Sequence, residues 1–321
     1  MALYLTGSDV VGLVGVEDAI AALETVFADW GTDSVDNAPR QRIKLPQRSM
    51  NLMGASWGGG DICGHKAYFG GCQYVSLFSI SGKRLLALIE AGMLGAMRTG
   101  AASGVATEIL ARKDANSLGI IGTGRQARTQ VLAIAAVRDL KTVRVFGRDE
   151  ERRTAFAASI AEELSCEVIA ATSAEACIRG VDIAVTMTSS TEPVLFGEWL
   201  SPGMHVNATG ANGYARRELD DDAVMRAALV STDQREQAKT EAREFIDLSA
   251  VGHLAWENVL ELGALVRGDV AGRTSDDQIT LFKSLGIALE DIAFAKIVYE
   301  RAVAGGIGEG FGPEISRTFG L

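Results

Sequence analysis

The sequence predicts an α/β protein in which a doubly wound parallel sheet is combined with a second α+β domain. From about residue 115 onward, short continuous apolar runs alternate with helical segments, as in parallel strands covered on both faces. Before residue 115, the apolar runs are short and interrupted by glycine and small residues. A chain of 321 residues is long enough to form two domains with their own cores.

The first part of the chain contains a helix, an extended basic stretch, several short strands and a long helix. Apolar residues at helical spacing predict the first helix over Val16–Trp30. The stretch "NAPRQRIKLP" is extended, and strand-like runs such as "YVSLFSI" and "RLLALIE" follow between Met50 and Glu90. The segment "LGAMRTGAASGVATEILAR" then predicts a long helix, and its small residues indicate that another element packs very close to it.

The second part of the chain alternates strands and helices. Its predicted strands are "LGII", "TVRVF", "EVIAA", "DIAVTMT", "HVNATG" and "ALVST". We therefore expect one domain over residues 115–284 and another formed by residues 1–114 and 285–321. The segment "ITLFKSLGIALEDIAFAKIVYERAVAGG" predicts an amphipathic helix that returns to the latter domain.

Composition and charge exclude several classes of function. The net charge of −10 disfavours binding to a phosphate backbone, so we expect no nucleic-acid partner. The four cysteines form no CxxC pair and the three histidines are scattered, so we expect no metal site. The N-terminus has no signal-peptide pattern, and no uncharged apolar run is long enough to span a membrane. We therefore expect a cytoplasmic protein without a membrane partner.

The stretch "GIIGTGRQA" contains the pattern GxGxxA from Gly122 to Ala127, directly after an apolar strand and at the start of a helix. Gly122 permits the tight turn, and Gly124 lets the backbone approach a pyrophosphate at the helix N-terminus. Ala127 lets the helix pack close to the strand. This context predicts a Rossmann-type dinucleotide-binding domain, although a glycine turn without a ligand is the alternative.

The end of the second strand of this domain indicates which dinucleotide is bound. An enzyme that uses NAD usually has an acidic residue there, which binds the ribose 2′-hydroxyl. This chain has Gly147, Arg148 and Asp149, and Arg148 is suited to a 2′-phosphate. We therefore favour NADP(H) over NAD(H). In the alternative interpretation, the arginines are solvated and Asp149 reaches the ribose.

Basic residues in the first domain indicate a site for an anionic substrate. Arg40 and Arg42 lie in "APRQRIKL", Lys66 lies in "CGHKAYFGG", and Arg98 lies in the small-residue run "GAMRTGAASG". A buried cation is costly without an anion, and arginine can bind a carboxylate through two parallel hydrogen bonds. Together these residues predict a carboxylate pocket, although each alone fits a surface or structural role.

The chain resembles the ornithine cyclodeaminase/mu-crystallin family, which includes archaeal-type alanine dehydrogenases and ketimine reductases. The resemblance spans nearly the whole chain and rests on "PRQRIKLPQRSMNLM", "GHKAYFGG", "ALIEAGMLGAMRTGAASGVAT", "GIIGTGRQA", "TMTSSTEPVLFGEWLSPGMHVNATGAN", "RRELD" and "FKSLGIALEDIAFAK". It implies a Rossmann domain, a substrate-binding domain that also forms the dimer interface, and a homodimer.

The resemblance also implies roles for individual residues. It assigns the substrate carboxylate to Arg40, Lys66 and Arg98, with Arg42 as a rival of Arg40, and Glu90 matches a family acid at the substrate site. We predict that the cofactor is bound by Thr99, Gly122, Gly124, Arg125, Gln126, Ala127, Arg148, Thr188, Ser189 and Gly210. Lys66 and Asn212 are the predicted catalytic residues.

Asn212 is a departure from part of this family. Cyclodeaminases and alanine dehydrogenases have an aspartate at this position, whereas ketimine reductases lack it. An amide is not a base, but its oxygen can position an iminium N–H; in the alternative, Asn212 only shapes the turn before Gly213. The sequence therefore predicts an NAD(P)H-dependent reductase of a C=N bond next to a carboxylate, or equivalently an amino-acid dehydrogenase. The alternatives are an ornithine or lysine cyclodeaminase and a cofactor-dependent small-ligand binding protein.

Overall fold

The computed structural model describes residues 1–46 and 49–312. Within these ranges the strands are β1 (Ala2–Leu5), β2 (Val35–Lys44), β3 (Ser49–Trp57), β4 (Ile62–Phe69), β5 (Cys72–Ser79), β6 (Arg84–Glu90), β7 (Ser117–Ile121), β8 (Thr142–Phe146), β9 (Glu167–Ala170), β10 (Ile183–Thr186), β11 (His205–Ala208), β12 (Leu229–Thr232), β13 (Val259–Glu261), β14 (Thr280–Lys283) and β15 (Glu309–Phe311). The α-helices are α1 (Gly7–Leu13), α2 (Val16–Ala28), α3 (Ala91–Leu110), α4 (Arg125–Val137), α5 (Glu150–Glu163), α6 (Ala174–Ile178), α7 (Asp221–Met225), α8 (Arg235–Glu241), α9 (Arg243–Ala250), α10 (Leu262–Arg267) and α11 (Ala288–Gly305). Residues 47–48 of the quoted "PRQRIKLPQRSMNLM" and residues 313–321 of the expected first domain lie outside the described residues.

The first sheet is mixed and has the strand order β15-β1-β6-β5-β4-β3-β2. Strands β2 to β6 form an antiparallel meander, and β1 pairs with β6 in parallel. Met53, Lys66 and Val75 lie opposite one another on β3, β4 and β5 and are all buried. Because side chains alternate along a strand, they share the face that packs against α11, where Lys66 bonds to Asp291.

The second sheet has the order β13-β12-β14-β11-β10-β7-β8-β9, and every neighbouring pair is parallel. Alternate residues of β10 belong to two separate hydrophobic clusters, so both faces of the sheet are covered. The chain builds β8 and β9 on one side of β7 and then crosses to β10 on the other side. This arrangement confirms the predicted doubly wound fold and creates a crevice at the carboxyl ends of β7 and β10.

The long helix α3 packs directly against α4, the helix that follows the glycine-rich turn. A Cβ atom on Gly100 would lie 2.3 Å from the carbonyl oxygen of Thr129, and one on Gly104 would lie 3.1 Å from that of Ala133. The Thr129 hydroxyl also donates a hydrogen bond of 2.8 Å to the Ala96 carbonyl. The close packing predicted from the small residues of this helix is therefore confirmed.

The prediction of one amphipathic helix over the C-terminal segment is wrong in its first part. Thr280–Lys283 form β14, a fully buried strand between β11 and β12. Gly286 then adopts a left-handed conformation (φ +72°), and α11 begins at Ala288. The apolar run was ambiguous by periodicity, because a buried parallel strand and a buried helix end have similar composition.

No helix in the part of the chain that the structure describes is long and apolar enough to cross a membrane.

Candidate active site

The glycine-rich turn has the geometry that a pyrophosphate requires. Gly122 has φ +129°, and a Cβ atom there would lie 2.2 Å from the Met187 carbonyl oxygen, so the position requires glycine. Gly124 faces open space and caps α4 without a side-chain hydrogen bond. The first amide groups of α4 therefore remain available to an anion, while the buried Ala127 packs in the strand–helix core.

A cavity of about 1350 Å³ follows this turn along the carboxyl ends of β7, β8, β10 and β11. Its volume and shape are suited to an extended dinucleotide. Eight of the ten predicted cofactor-binding residues line it: Gly122, Gly124, Arg125, Gln126, Arg148, Thr188, Ser189 and Gly210. The other two, Thr99 and Ala127, are buried and do not form part of its wall.

The end of the cavity after β8 is basic and accessible. Arg148 is exposed and lines the cavity together with Asp149 and Arg152. Asp149 is the N-cap of α5, and its carboxylate accepts a hydrogen bond of 3.0 Å from the backbone amide of Arg152. A Cβ atom on Gly147 would lie 2.8 Å from Thr123, so glycine keeps this corner open. One oxygen of the only acid in the "GRD" turn is thus engaged in capping.

Glu218, which the sequence analysis missed, holds the two loops at the other end of the cavity. One carboxylate oxygen accepts hydrogen bonds of 2.7 Å from both the amide and the hydroxyl of Thr188. The other accepts hydrogen bonds from the amides of Gly210 and Ala211 at 2.8 and 2.9 Å. Glu218 is fully buried, and its own amide donates to Glu244 at 3.0 Å. It therefore fixes the loops after β10 and β11 relative to each other.

Asn212 lies in the loop that Glu218 holds. It is half-buried and is followed by Gly213, which has φ +106°. The amide of Gly213 donates to the carbonyl of Glu241 at 3.2 Å, which anchors the far side of the loop. The loop that carries Asn212 is thus fixed at both ends by buried glutamates.

Lys66 and Arg98 are brought together by two acids on α11. The Lys66 ammonium donates to Asp291 Oδ1 at 3.0 Å, and Arg98 Nε donates to the same oxygen at 2.9 Å. Arg98 Nη1 also donates to Glu290 at 2.7 Å. All four side chains are buried. The anion that a buried Arg98 requires is therefore supplied, at least in part, by the chain itself.

Burial and charge shift the ionisation of this cluster. Burial lowers the pKa of Lys66 to about 8, against the opposing effect of Asp291. Burial also raises the pKa of Asp291, but Arg98 and Lys66 outweigh it and hold that pKa below its usual value. Burial, reinforced by Asp233, raises the pKa of Glu290 to about 8. Near neutral pH the charged members are therefore two cations and Asp291, with Glu290 largely protonated.

Arg40 is engaged almost entirely by the protein. Its Nη1 pairs with Glu241, and its Nη2 donates to the carbonyls of Leu285 and Gly286, each at 2.8 Å. Its side chain is only 1% exposed. These contacts fit a structural cation that ties β2 to the loop before α11.

Arg42 differs from Arg40 in exposure and position. It donates to the second oxygen of Glu241 at 2.6 Å and to Asn51 at 3.1 Å, but its side chain is 34% exposed. A Cβ atom on Gly213 would lie 3.3 Å from Arg42 Nη2. Arg42 is therefore next to the Asn212 loop and open on one side.

Glu90 and Thr99 are engaged away from the cavity. The two carboxylate oxygens of Glu90 accept hydrogen bonds from the Tyr4 hydroxyl at 2.8 Å and the Gly7 amide at 2.7 Å. The Thr99 hydroxyl donates to the Gly95 carbonyl within α3 at 2.7 Å. These contacts favour structural roles over the predicted substrate and cofactor contacts.

Gln73, also missed by the sequence analysis, connects the cluster to the cavity. It lines the cavity from β5 of the first sheet. A Cβ atom on Gly95 would lie 2.5 Å from the Lys66 ammonium and 3.9 Å from Gln73 Oε1, so both side chains approach the same point of α3. Lys66 therefore lies next to Gln73 of the cavity wall, and Asp291 links Arg98 to Lys66. The predicted residues Lys66, Arg98 and Asn212 do not themselves line this cavity.

The fold and this cavity define a Rossmann-type nucleotide-binding protein with a second, mixed sheet that closes one end of the site. The chain matches the model of the ornithine cyclodeaminase/mu-crystallin family over residues 2–306. It therefore belongs to that family, as the sequence motifs predicted.

Three similar proteins have described activities or ligands. Delta(1)-pyrroline-2-carboxylate reductase of Bacillus cereus is 41% identical over 225 residues, which cover 70% of this chain and 69% of that protein. The Thermococcus litoralis Delta(1)-pyrroline-2-carboxylate reductase, solved with NADH and L-proline, has a TM-score of 0.92 at 31% identity and covers 96% of this chain and 100% of its own. An archaeal alanine dehydrogenase dimer with bound NAD has a TM-score of 0.90 at 30% identity and covers 97% of this chain and 99% of its own.

Proposed function

We propose that this protein is an NAD(P)H-dependent reductase of a C=N bond next to a carboxylate, and that its substrate is a cyclic imino acid of the Δ1-pyrroline-2-carboxylate type. The observation that carries the proposal is the pair of buried cations, Lys66 and Arg98, beside the wall of the dinucleotide cavity. The two pyrroline-2-carboxylate reductases described above support the choice of a cyclic substrate.

The roles of the chain's residues follow from their free donors. Among the described residues, the Lys66 ammonium makes one hydrogen bond and keeps two N–H groups for a carboxylate. Arg98 uses Nε and Nη1 on acids, which leaves Nη2. Hydride transfer then requires the imine carbon of the bound substrate to face the cavity. The reduced nicotinamide supplies the hydride when bound. The proton that the product amine needs is already on the iminium nitrogen, and in this proposal the Asn212 side-chain oxygen accepts a hydrogen bond from that N–H.

Asn212 also favours reduction over cyclodeamination. A cyclodeaminase must remove a proton from an ammonium group before the amine is oxidised, and an amide cannot accept that proton. Reduction of an iminium needs no base. We therefore propose that ornithine releases little or no ammonia in the presence of this protein and its cofactor.

We propose NADP(H) as the preferred cofactor. Arg148 and Arg152 line the cavity after β8, whereas Asp149 uses one oxygen to cap α5. A 2′-phosphate gains charge-assisted hydrogen bonds from such arginines. The two similar structures contain NADH or NAD, so the preference has to be measured on this chain.

We also propose a homodimer formed through the outer face of the first sheet. Leu52, Ala67 and Tyr74 lie opposite one another on β3, β4 and β5 and point away from α11. All three are only half-buried in the single chain, which is typical of an apolar surface that a partner covers. The archaeal alanine dehydrogenase described above is a dimer.

An absorbance assay at the nicotinamide wavelength tests the proposal. Δ1-pyrroline-2-carboxylate should oxidise NADPH, and NADH more weakly, to give proline. Pyruvate with ammonia tests the alanine dehydrogenase reaction, and ornithine with NAD tests ammonia release. Turnover on pyruvate alone would indicate an alanine dehydrogenase, and robust ammonia release from ornithine would indicate a cyclodeaminase; either result would overturn the proposal. Tight cofactor binding without any turnover would indicate a binding protein.

A further inference from the structure

A single carboxylate oxygen connects the two cations of the proposed substrate site. Asp291 Oδ1 accepts hydrogen bonds from Lys66 at 3.0 Å and from Arg98 Nε at 2.9 Å. Lys66 comes from β4, Arg98 from α3 and Asp291 from α11, so three separate elements meet at this oxygen. Asp291 is completely buried.

The packing around the two cations does not hold them by shape alone. A Cβ atom on Gly95 would lie 2.5 Å from the Lys66 ammonium, and one on Gly286 would lie 2.3 Å from Arg98 Nη1. Glycine at both positions leaves room for these long side chains. Their direction therefore depends on their hydrogen-bond acceptors, and Asp291 is the acceptor that they share.

Charge gives Asp291 a second effect on Lys66. The charged groups that act on Lys66 are Asp291 of α11, which favours its protonated form, and Arg98 of α3 and Arg40 of β2, which oppose it. Burial acts in the same direction as the two arginines. Asp291 is thus the group on this cluster that keeps Lys66 charged near neutral pH.

We propose that Asp291 is a positioning residue that aims Lys66 and Arg98 at the substrate carboxylate. This inference rests on the proposed function, because it assigns the carboxylate to these two cations. Within the described residues, Glu290 differs from Asp291 because its carboxylate bonds to Arg98 alone, through one oxygen, and makes no hydrogen bond to Lys66.

The main test compares Asp291→Asn with Glu300→Gln, which makes the same chemical change at a half-exposed acid on the same helix. For Asp291→Asn we expect the substrate KM to rise about tenfold or more, with the Kd of NADPH unchanged. The pH above which KM rises should move to lower values, because Lys66 loses its proton more easily. Glu300→Gln should behave like the unaltered protein. Equal KM values and pH profiles in both variants would overturn the proposal.

A second variant covers the case in which Asp291→Asn does not fold. The double variant Lys66→Met/Asp291→Asn removes one buried cation and one buried anion, so the net charge of the cluster does not change. It should have a higher substrate KM than Lys66→Met alone, because the neutral amide that replaces the carboxylate holds Arg98 Nε more weakly. Equal KM values in these two variants would show that Asp291 does not position Arg98.

A chemical probe separates this inference from the proposed function. Cyanate carbamoylates neutral amines, so the modification of Lys66 can be followed by peptide mass spectrometry across pH, with the exposed Lys44 as the internal reference. In Asp291→Asn, Lys66 should react at lower pH than in the unaltered protein. An unchanged profile would count against Asp291 whatever the substrate is. Absence of imine turnover by the unaltered protein would instead overturn the proposed function.

Discussion

Arg40 and Arg42 show how two identical residues on one strand acquire different roles. Both pair with Glu241. Arg40 also donates hydrogen bonds to two backbone carbonyls, whereas Arg42 is partly exposed and lies next to the Asn212 loop. The motif could not distinguish them, because both follow Pro39 within a few residues. We therefore propose Arg42, rather than Arg40, as the third carboxylate-binding residue.

Substitution of each arginine by alanine separates the two roles. Arg42→Ala should raise the substrate KM by about tenfold or more while the protein stays folded. Arg40→Ala leaves two buried carbonyls and one oxygen of the buried Glu241 without their donor, while Arg42 still pairs with the other oxygen, and should lower the free energy of unfolding by about 1–3 kcal/mol. KM measurements and urea unfolding of both variants check this. A fully active Arg42→Ala variant would contradict the assignment.

The ionisation of Lys66 predicts a pH dependence. Its pKa is lowered by burial to about 8, so it is charged below this pH and neutral above it. The affinity for a carboxylate, and with it kcat/KM, should therefore fall as the pH rises through about 8. The profile of kcat/KM reports the free enzyme. Lys66→Met should remove this step and leave only the loss caused by deprotonation of the imine itself.

Arg148 predicts the cofactor preference. Arg148→Ala should weaken NADPH binding by about 1.5–3 kcal/mol, the value of a hydrogen bond to a charged group, and should change NADH binding little. Arg128→Ala is a suitable control, because it also removes an exposed arginine, and the partner of Arg128 is Glu163. Fluorescence titration of both cofactors gives the two Kd values. Tighter binding of NADH than of NADPH by the unaltered protein would contradict the prediction.

At the scale of elements, the contact between α3 and α4 connects two parts of the proposed site. Helix α3 carries Arg98, and the glycine-rich turn lies at the start of α4. Arg98 lies two residues before Gly100, whose α-carbon faces the backbone of α4. A shift of α3 would therefore move Arg98 relative to the cofactor cavity. This packing could be predicted from the sequence as a run of small residues, but its partner helix could not.

Two glycine-to-alanine substitutions test this contact. In Gly100→Ala the new Cβ atom would lie 2.3 Å from a backbone oxygen, so the helices must separate, at a cost of about 1–3 kcal/mol. No atom of the described residues would lie within 4 Å of a Cβ atom on Gly12 in α1, so Gly12→Ala should be neutral or stabilise the protein by about 0.5–1 kcal/mol. Thermal unfolding compares the two. A Gly100→Ala variant as stable as the unaltered protein would show that α4 can move away from α3 without a loss of stability.

At the scale of the whole molecule, the two sheets support the expected domain boundaries. Every strand of the parallel sheet lies between Ser117 and Lys283, and α11 returns to the first sheet. We propose boundaries at 114/115 and 284/285 on this basis. Helix α10 crosses the division, since a Cβ atom on Gly263 would overlap Trp30 of the first domain. The two domains are thus joined by packing as well as by the chain.

The proposed dimer predicts the effect of a charge on the outer face of the first sheet. Ala67 lies between Leu52 and Tyr74 on this face, so Ala67→Glu would bury a carboxylate at the interface and should give a monomer. Met225→Glu, at an exposed apolar residue of α7, should remain dimeric. Light scattering at micromolar concentration measures both. An unaltered protein that is already monomeric would contradict the interface.

The sequence by itself determined the features that depend on local rules. The GxGxxA turn, the alternation of strands and helices, and the small-residue helix are each encoded by neighbouring residues, whose backbone conformation and periodicity follow from local sterics. The family motifs also indicated Lys66, Arg98 and Asn212 by position in the chain.

Only the tertiary structure decided which groups these residues meet. Arg98 is separated from Asp291 by 193 positions, and Arg40 from Glu241 by 201. In sequence, Glu218 lies in the charged stretch "RRELDDD", whereas Glu290 and Asp291 lie in the apolar run "GIALEDIAF". Nothing local marks the partners of these three acids. A buried ion pair depends on the position of both side chains in space, and packing of distant elements sets those positions. Local pattern therefore predicted where a charge lies in the chain, and the fold determined whether the substrate or the protein neutralises it.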